Sequence, residues 1–201
     1  MICVPLRSVT GTLLLAIALL QGCQSPKVDE AGLTPGQRDR NHGYALLFNL
    51  TNSEGELDKI LIIKKPSANI QQLIRDIAQT SREAKDKLAA FAEQDITLNL
   101  TDPGLPEMES AARKSIESAT TRALIFSDDT FEREIALTQV KALQYGAHLA
   151  RVLADRDDHE LRVVWLKQFA DTYHDLYKRC VAMIVIQQAE MNLPSDEGAD
   201  Q

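Results

Sequence analysis

The chain has 201 residues, a quarter of them charged, and a formal net charge of −7. An acidic surface lacks the cations that neutralise phosphates, which excludes nucleic acid as a partner class. Three cysteines set at positions 3, 23 and 180 exclude a fold stapled by disulfides, and about 150 residues beyond the N-terminal region suffice for one domain with one core.

Arg7 precedes the short apolar run Leu13–Leu20, which ends in Gln21-Gly22-Cys23. This is the layout of an export signal, and the run is too short for a spanning helix of ~20 residues. Leu20-Gln21-Gly22-Cys23 resembles a bacterial lipobox. That resemblance implies a signal peptide over residues 1–22 and acylation of Cys23 as the mature N-terminus. Loss of residues 1–22 removes Arg7 and no acid, leaving 21 basic against 29 acidic side chains and a charge of −8. No basic patch then assists anchoring, so attachment to the lipid bilayer rests on acylated Cys23; one acyl chain anchors marginally and two or three anchor stably. Gln24 stands where an aspartate would favour inner-membrane retention, so the outer membrane is favoured over the inner, with the domain facing the periplasm. Residues 23–41 are polar with Pro26, Pro35, Gly32 and Gly36, and read as a flexible tether.

Beyond the tether the spacing is helical. Leu46, Leu47, Leu50, Leu57, Ile60 and Leu61 predict a first helix from Gly43 to the break at Pro66. Ser67 is placed to cap a second helix, reaching Gln94, with the stripe Ile70, Leu73, Ile74, Ile77, Ala84, Leu88 and Phe91. Residues 95–105 alternate too briefly for a sheet and read as a crossover, with Asp102-Pro103-Gly104 as a turn. A third helix starts at Pro106 and has a thin face, Met108, Ala112, Ile116, Ala119 and Ala123, suited to covering a core. The fourth opens after Ser127 and carries Phe131, Ile135, Ala142, Tyr145, Gly146, Leu149, Val152 and Leu153. Asp157 and Glu160 fit a capping box for the fifth, whose stripe is Leu161, Trp165, Phe169, Tyr173, Leu176, Cys180, Met183 and Ile184. Cys180, alone in that stripe, reads as a small core hydrophobe. Residues 191–201 read as a disordered acidic tail. The fold class is therefore all-α: an up-down four-helix bundle over residues 42–190, with a fifth, crossover helix.

Each main stripe is interrupted once by a polar residue: Glu54, Ser81, Gln139 and Thr172. Glu54 lies within about 50° of the centre of its stripe at 100° per residue. All four lie near mid-helix, so an antiparallel bundle brings them to one height as a buried polar layer. A buried carboxylate must be hydrogen-bonded, protonated, metal-bound or wet. No histidine follows a glutamate at three-residue spacing, as a di-iron bundle requires; Asp171 and His174 face away from the stripe, as does His148, while His42 and His159 lie near helix starts. Glu54 and Glu132 with water are the weak metal candidates, and no cofactor is predicted. Nor does any serine sit in a Gly-x-Ser-x-Gly elbow.

Glu54-Gly55-Glu56-Leu57, Phe131-Glu132-Arg133 and Gln139 resemble motifs of a family of bacterial exported ferritin-like helical domains of unknown function, often lipoproteins. The likeness covers roughly residues 43–185 and implies a ferritin-like bundle, with Glu54 carried over as a ligand position. Thr80-Ser81 stands where the family has an Asp-His pair, and Thr172 where it has an inward histidine, so the other ligands do not carry over. The expectation is a non-catalytic envelope module. Its protein partner would bind helix surfaces, the crossover 95–110, or the outward valines Val163, Val181 and Val185.

Overall fold

A computed structural model describes residues 32–191, with side chains to Ile186. The signal region 1–22, Cys23 and the tail beyond 191 lie outside the described residues. Those described are helical, with no strand: α1 (Pro35–Glu54), a 3₁₀ segment (Leu57–Ile62), α2 (Ala68–Gln94), α3 (Glu107–Phe126), α4 (Phe131–Ala154) and α5 (Glu160–Met191).

α1 begins seven residues before the expected domain start at residue 42. Thr34 and Gln37 form a capping box, with Pro35 at the first helical position. Proline and glycine there serve a helix start rather than a tether, because proline has no N–H to lose in the first turn. The extra turns matter, since Arg40 and Asn41 are buried. The other end also differs from expectation. α1 stops at Glu54, and Arg82 Nη1 in α2 donates to the Gly55 carbonyl at 2.6 Å. That contact satisfies a carbonyl freed at the helix end, and the chain continues as the 3₁₀ segment well before Pro66. Leu57, Ile60 and Leu61 then pack on a second cluster around Ile70, Ile74, Leu124, Phe131 and Ile135.

Side-chain contacts between the helices fix their directions. Asn41 Nδ2 meets the Thr97 carbonyl at 2.7 Å while Arg82 meets Gly55, so α1 and α2 are antiparallel. Arg162 reaches Asp95 and Arg179 reaches Asp76, each at 2.7 Å, so α2 and α5 are antiparallel too. Gly43 faces Leu153 and Gly146 faces Leu50, which sets α4 against α1. α2 and α4 therefore run the same way. The segment between them must return the full length of the molecule, and α3, about 30 Å long at 1.5 Å per residue, supplies that return.

The main core joins Tyr44, Leu47, Ile77, Leu88, Leu143, Leu166, Phe169 and Tyr173. Trp165 lies at its edge, its ring stacked on Phe169 and edge-on to Phe91, each at 5.4 Å. Two expected stripes shift. On α4, Tyr145 and Val152 are exposed and Leu143, Ala147 and Ala150 are buried. Gly146 explains the rotation: its missing side chain lets Tyr173 and Leu50 approach, so the residues flanking that approach become the core. On α5, Leu161 is 71% exposed and Leu166 fully buried. α3 departs furthest. Its expected inner face lies in solvent, and only Leu124 is buried.

Candidate functional site

Three of the four predicted polar residues meet inside the molecule; the fourth does not. Ser81 and Gln139 are 0% and 3% exposed. Thr172 is exposed, and its hydroxyl donates to the Gln168 carbonyl one turn back at 3.0 Å. Tyr173, one position on and fully buried, takes its place. Ser81 Oγ donates to the Ile77 carbonyl at 2.7 Å, which leaves the Tyr173 hydroxyl to donate to Ser81 Oγ, also at 2.7 Å. Burial raises the Tyr173 phenol well above its ordinary range, so it keeps the proton that it donates to Ser81.

Glu54 is the last residue of α1 rather than a mid-helix one, and its carboxyl turns inward. Burial pushes it up to about 7, and a hydrogen bond from Gln139 only partly offsets the effect. Glu54 Oε2 and Gln139 Oε1 are both buried without a partner. Two unpaired acceptors in a low-dielectric interior lack one donor between them. Below about pH 7 Glu54 holds a proton and so brings a donor to this pair; a neutral carboxyl and a primary amide can satisfy each other through two parallel hydrogen bonds. Cys180 lies in the same region; burial pushes its thiol up to about 12, so it stays neutral and a poor nucleophile.

A second polar cluster, which the spacing did not reveal, locks the other end. Asp157, with 0% of its side chain exposed, faces Arg162 at 4%. Arg162 Nε donates to Oδ2 at 2.8 Å and Nη2 to Oδ1 at 2.9 Å, the bidentate geometry that suits guanidinium and carboxylate. The Tyr44 hydroxyl donates to Oδ2 at 2.5 Å and the His159 N–H to Oδ1 at 2.8 Å. Arg162 Nη1 reaches on to Asp95, and Arg40 pairs with Asp158 at 3.0 Å. Burial alone would raise the Asp157 carboxyl, but the Arg162, Tyr44 and His159 bonds together hold it below the ordinary range. The predicted capping box is thus not what forms: Asp157 turns into the core, and Glu160 is exposed. The signals available in sequence were Tyr44 inside an aliphatic stripe and an Asp-x-x-x-x-Arg spacing at a helix start.

Beside this lock lies a cleft of about 270 Å³ lined by Phe91, Gln94, Asp95, Ile96, His159 and Arg162. Its one guanidinium is already held by two carboxylates, which leaves no free charge for an anion. Glu132 accepts from the Ser67 N–H at 2.6 Å and from Ser67 Oγ at 3.0 Å, so it caps α2 about two turns along α4 from Gln139. His148 is exposed, and His174 stacks on Tyr177 at 5.7 Å. Among the described residues no three His, Cys, Asp or Glu side chains converge as a metal site would need, and no helix is long and apolar enough to cross a membrane. Comparison with family models, curated proteins and solved structures gave no match.

Proposed function

We propose that this chain is a lipid-anchored module on the periplasmic side of a bacterial membrane, the outer membrane favoured, that works through its surface rather than by catalysis. Its fold is read as a ferritin-like, up-down four-helix bundle with a crossover helix; the parallel run of α2 and α4 around a long connection supports that reading. The observation that carries the function is how the interior polar groups are used. Asp157, Arg162, Tyr44, Ser81 and Tyr173 are all engaged with protein partners, which suits a scaffold and leaves no free nucleophile–base pair among them.

Location is tested by growing cells with a fatty-acid probe. The mature chain should carry the label and Cys23→Ser should lose it; an unlabelled wild type, or label that survives Cys23→Ser, defeats the anchor. A second reading, a metal-binding bundle using Glu54, is favoured by the unpaired Glu54 Oε2 and Gln139 Oε1. A stoichiometric ion kept through dialysis and lost in Glu54→Ala would replace the first reading with this one.

A further inference from the structure

We propose that α3 pairs side by side with α3 of a second copy of this chain. The helix presents Met108, Ala112, Ile116, Ala119, Ala123 and Phe126 within an arc of about 80°, counting 100° per residue. All are exposed, Met108 to 82%, Ile116 to 66% and Phe126 to 76%. From Ala112 to Phe126 the steps run four, three, four, three, the spacing of a helix–helix seam.

The rest of the molecule scarcely holds this helix. Leu124 alone is buried, and Arg113 lies over the Tyr145 ring at 5.9 Å. A helix rich in Ser and Thr draws its stability from packing of its amphipathic face, and here that face is bare.

The residues choose the occupant. Alanines at three of the six seam positions allow close approach of a second helix, with bulky Met108 and Phe126 at the two ends. A lipid surface would be met by larger apolar groups flanked by excess Lys and Arg. α3 instead has Arg113, Lys114 and Arg122 against Glu107, Glu109 and Glu117, a balance of zero. That balance suits self-pairing in an otherwise acidic chain, because the facing helices do not repel. A seam about 27 Å long buries on the order of 1,000 Å² over two copies, the lower bound for a specific interface. The pairing does not depend on the anchor.

Sedimentation of the mature chain, residues 23–201 carrying Cys23→Ser, tests it, since neither an acyl chain nor the apolar run Leu13–Leu20 then drives association. A dimer is expected at about 100 µM. Ile116→Glu combined with Ala119→Glu should weaken it at least ~10-fold with the circular dichroism unchanged, whereas Ser118→Glu, off the seam, should leave it intact. A wild-type monomer at that concentration overturns the proposal, as does a dimer that survives the double substitution. A monomer that binds phosphatidylglycerol–phosphatidylethanolamine vesicles, and loses them in the double variant, gives the face to lipid and also overturns it.

Discussion

Asp157 is the residue on which most depends for its size. One carboxylate receives Tyr44, two nitrogens of Arg162 and the His159 N–H, and so joins α1 to the start of α5. Removing one partner of a buried pair strands the other charge, a loss that usually exceeds what the pair contributes over an apolar replacement. Asp157→Ala should therefore cost about 3–5 kcal/mol in urea unfolding, because Arg162 keeps only Asp95. Tyr44→Phe removes one neutral donor from an acceptor that retains three others, and should cost about 1–2 kcal/mol. If both variants lose the same amount, the guanidinium is better hydrated than the geometry indicates. Arg162→Met in the Asp157→Ala background should recover part of the loss, since no fully buried charge is then left unpaired and Asp95, 27% exposed, keeps its Thr97 bonds and meets water.

At the scale of elements, two substitutions read the local physics. Thr34→Ala removes the side-chain half of the α1 capping box and should cost about 1 kcal/mol, visible as a lower thermal midpoint. Gly146→Ala, normally helix-favouring, should destabilise by about 1–3 kcal/mol, because the new Cβ would stand 2.7 Å from the Tyr173 ring and 2.8 Å from Leu50. Tyr173 cannot yield without giving up Ser81. The same two sites show what the sequence could and could not convey. Pro66 and the acids after Pro106 mark real boundaries, since their chemistry at a helix start is local; Ser67 does stand at the N-cap of α2, but its hydroxyl donates to Glu132 of α4 rather than capping its own helix. Thr34-Pro35-Gly36 was misread because proline and glycine serve linkers and helix starts alike, and only burial of Arg40 and Asn41 decides between them. Glu54, Ser81 and Gln139 were legible as interruptions of apolar stripes. Thr172 failed by one position, since a wheel cannot resolve a 100° step when neighbouring Tyr173 fits the same gap. The Asp157 lock is hidden in the sequence because Tyr44 and Asp95, which complete it, lie far from Asp157 and Arg162 in the chain, and α3 because a face exposed to solvent and a face on the core carry the same period.

Across the whole molecule, two sets of carboxyls titrate in opposite senses, and the pH of greatest stability follows from their balance. Asp157, Asp95 and Asp76 are held below their ordinary range: burial alone would raise each, and their arginine partners with further hydrogen bonds outweigh it. Each adds stability that is fully present above its unfolded value of 3.8 and is lost as pH falls through its depressed folded value. Glu54 works the other way. Its folded value of about 7 exceeds the unfolded 4.5, so the unfolded chain releases this proton first. Its favourable contribution is complete below 4.5 and drains away as pH rises to about 7. The chain should accordingly be most stable near pH 4.5–5, below the usual range, and should lose about 2–3 kcal/mol between pH 5 and pH 8. Self-repulsion of an acidic chain adds to the loss in the same direction. Glu54→Gln separates the two causes. An amide keeps a donor for Gln139 Oε1 and cannot ionise, so urea unfolding should show the variant level with the wild type at pH 5, about 2–3 kcal/mol more stable at pH 8, and unchanged in its acid limb. A variant whose upper limb falls as steeply as the wild type's would mean that the Glu54 carboxyl is solvated, and the paired interior layer would have to be abandoned.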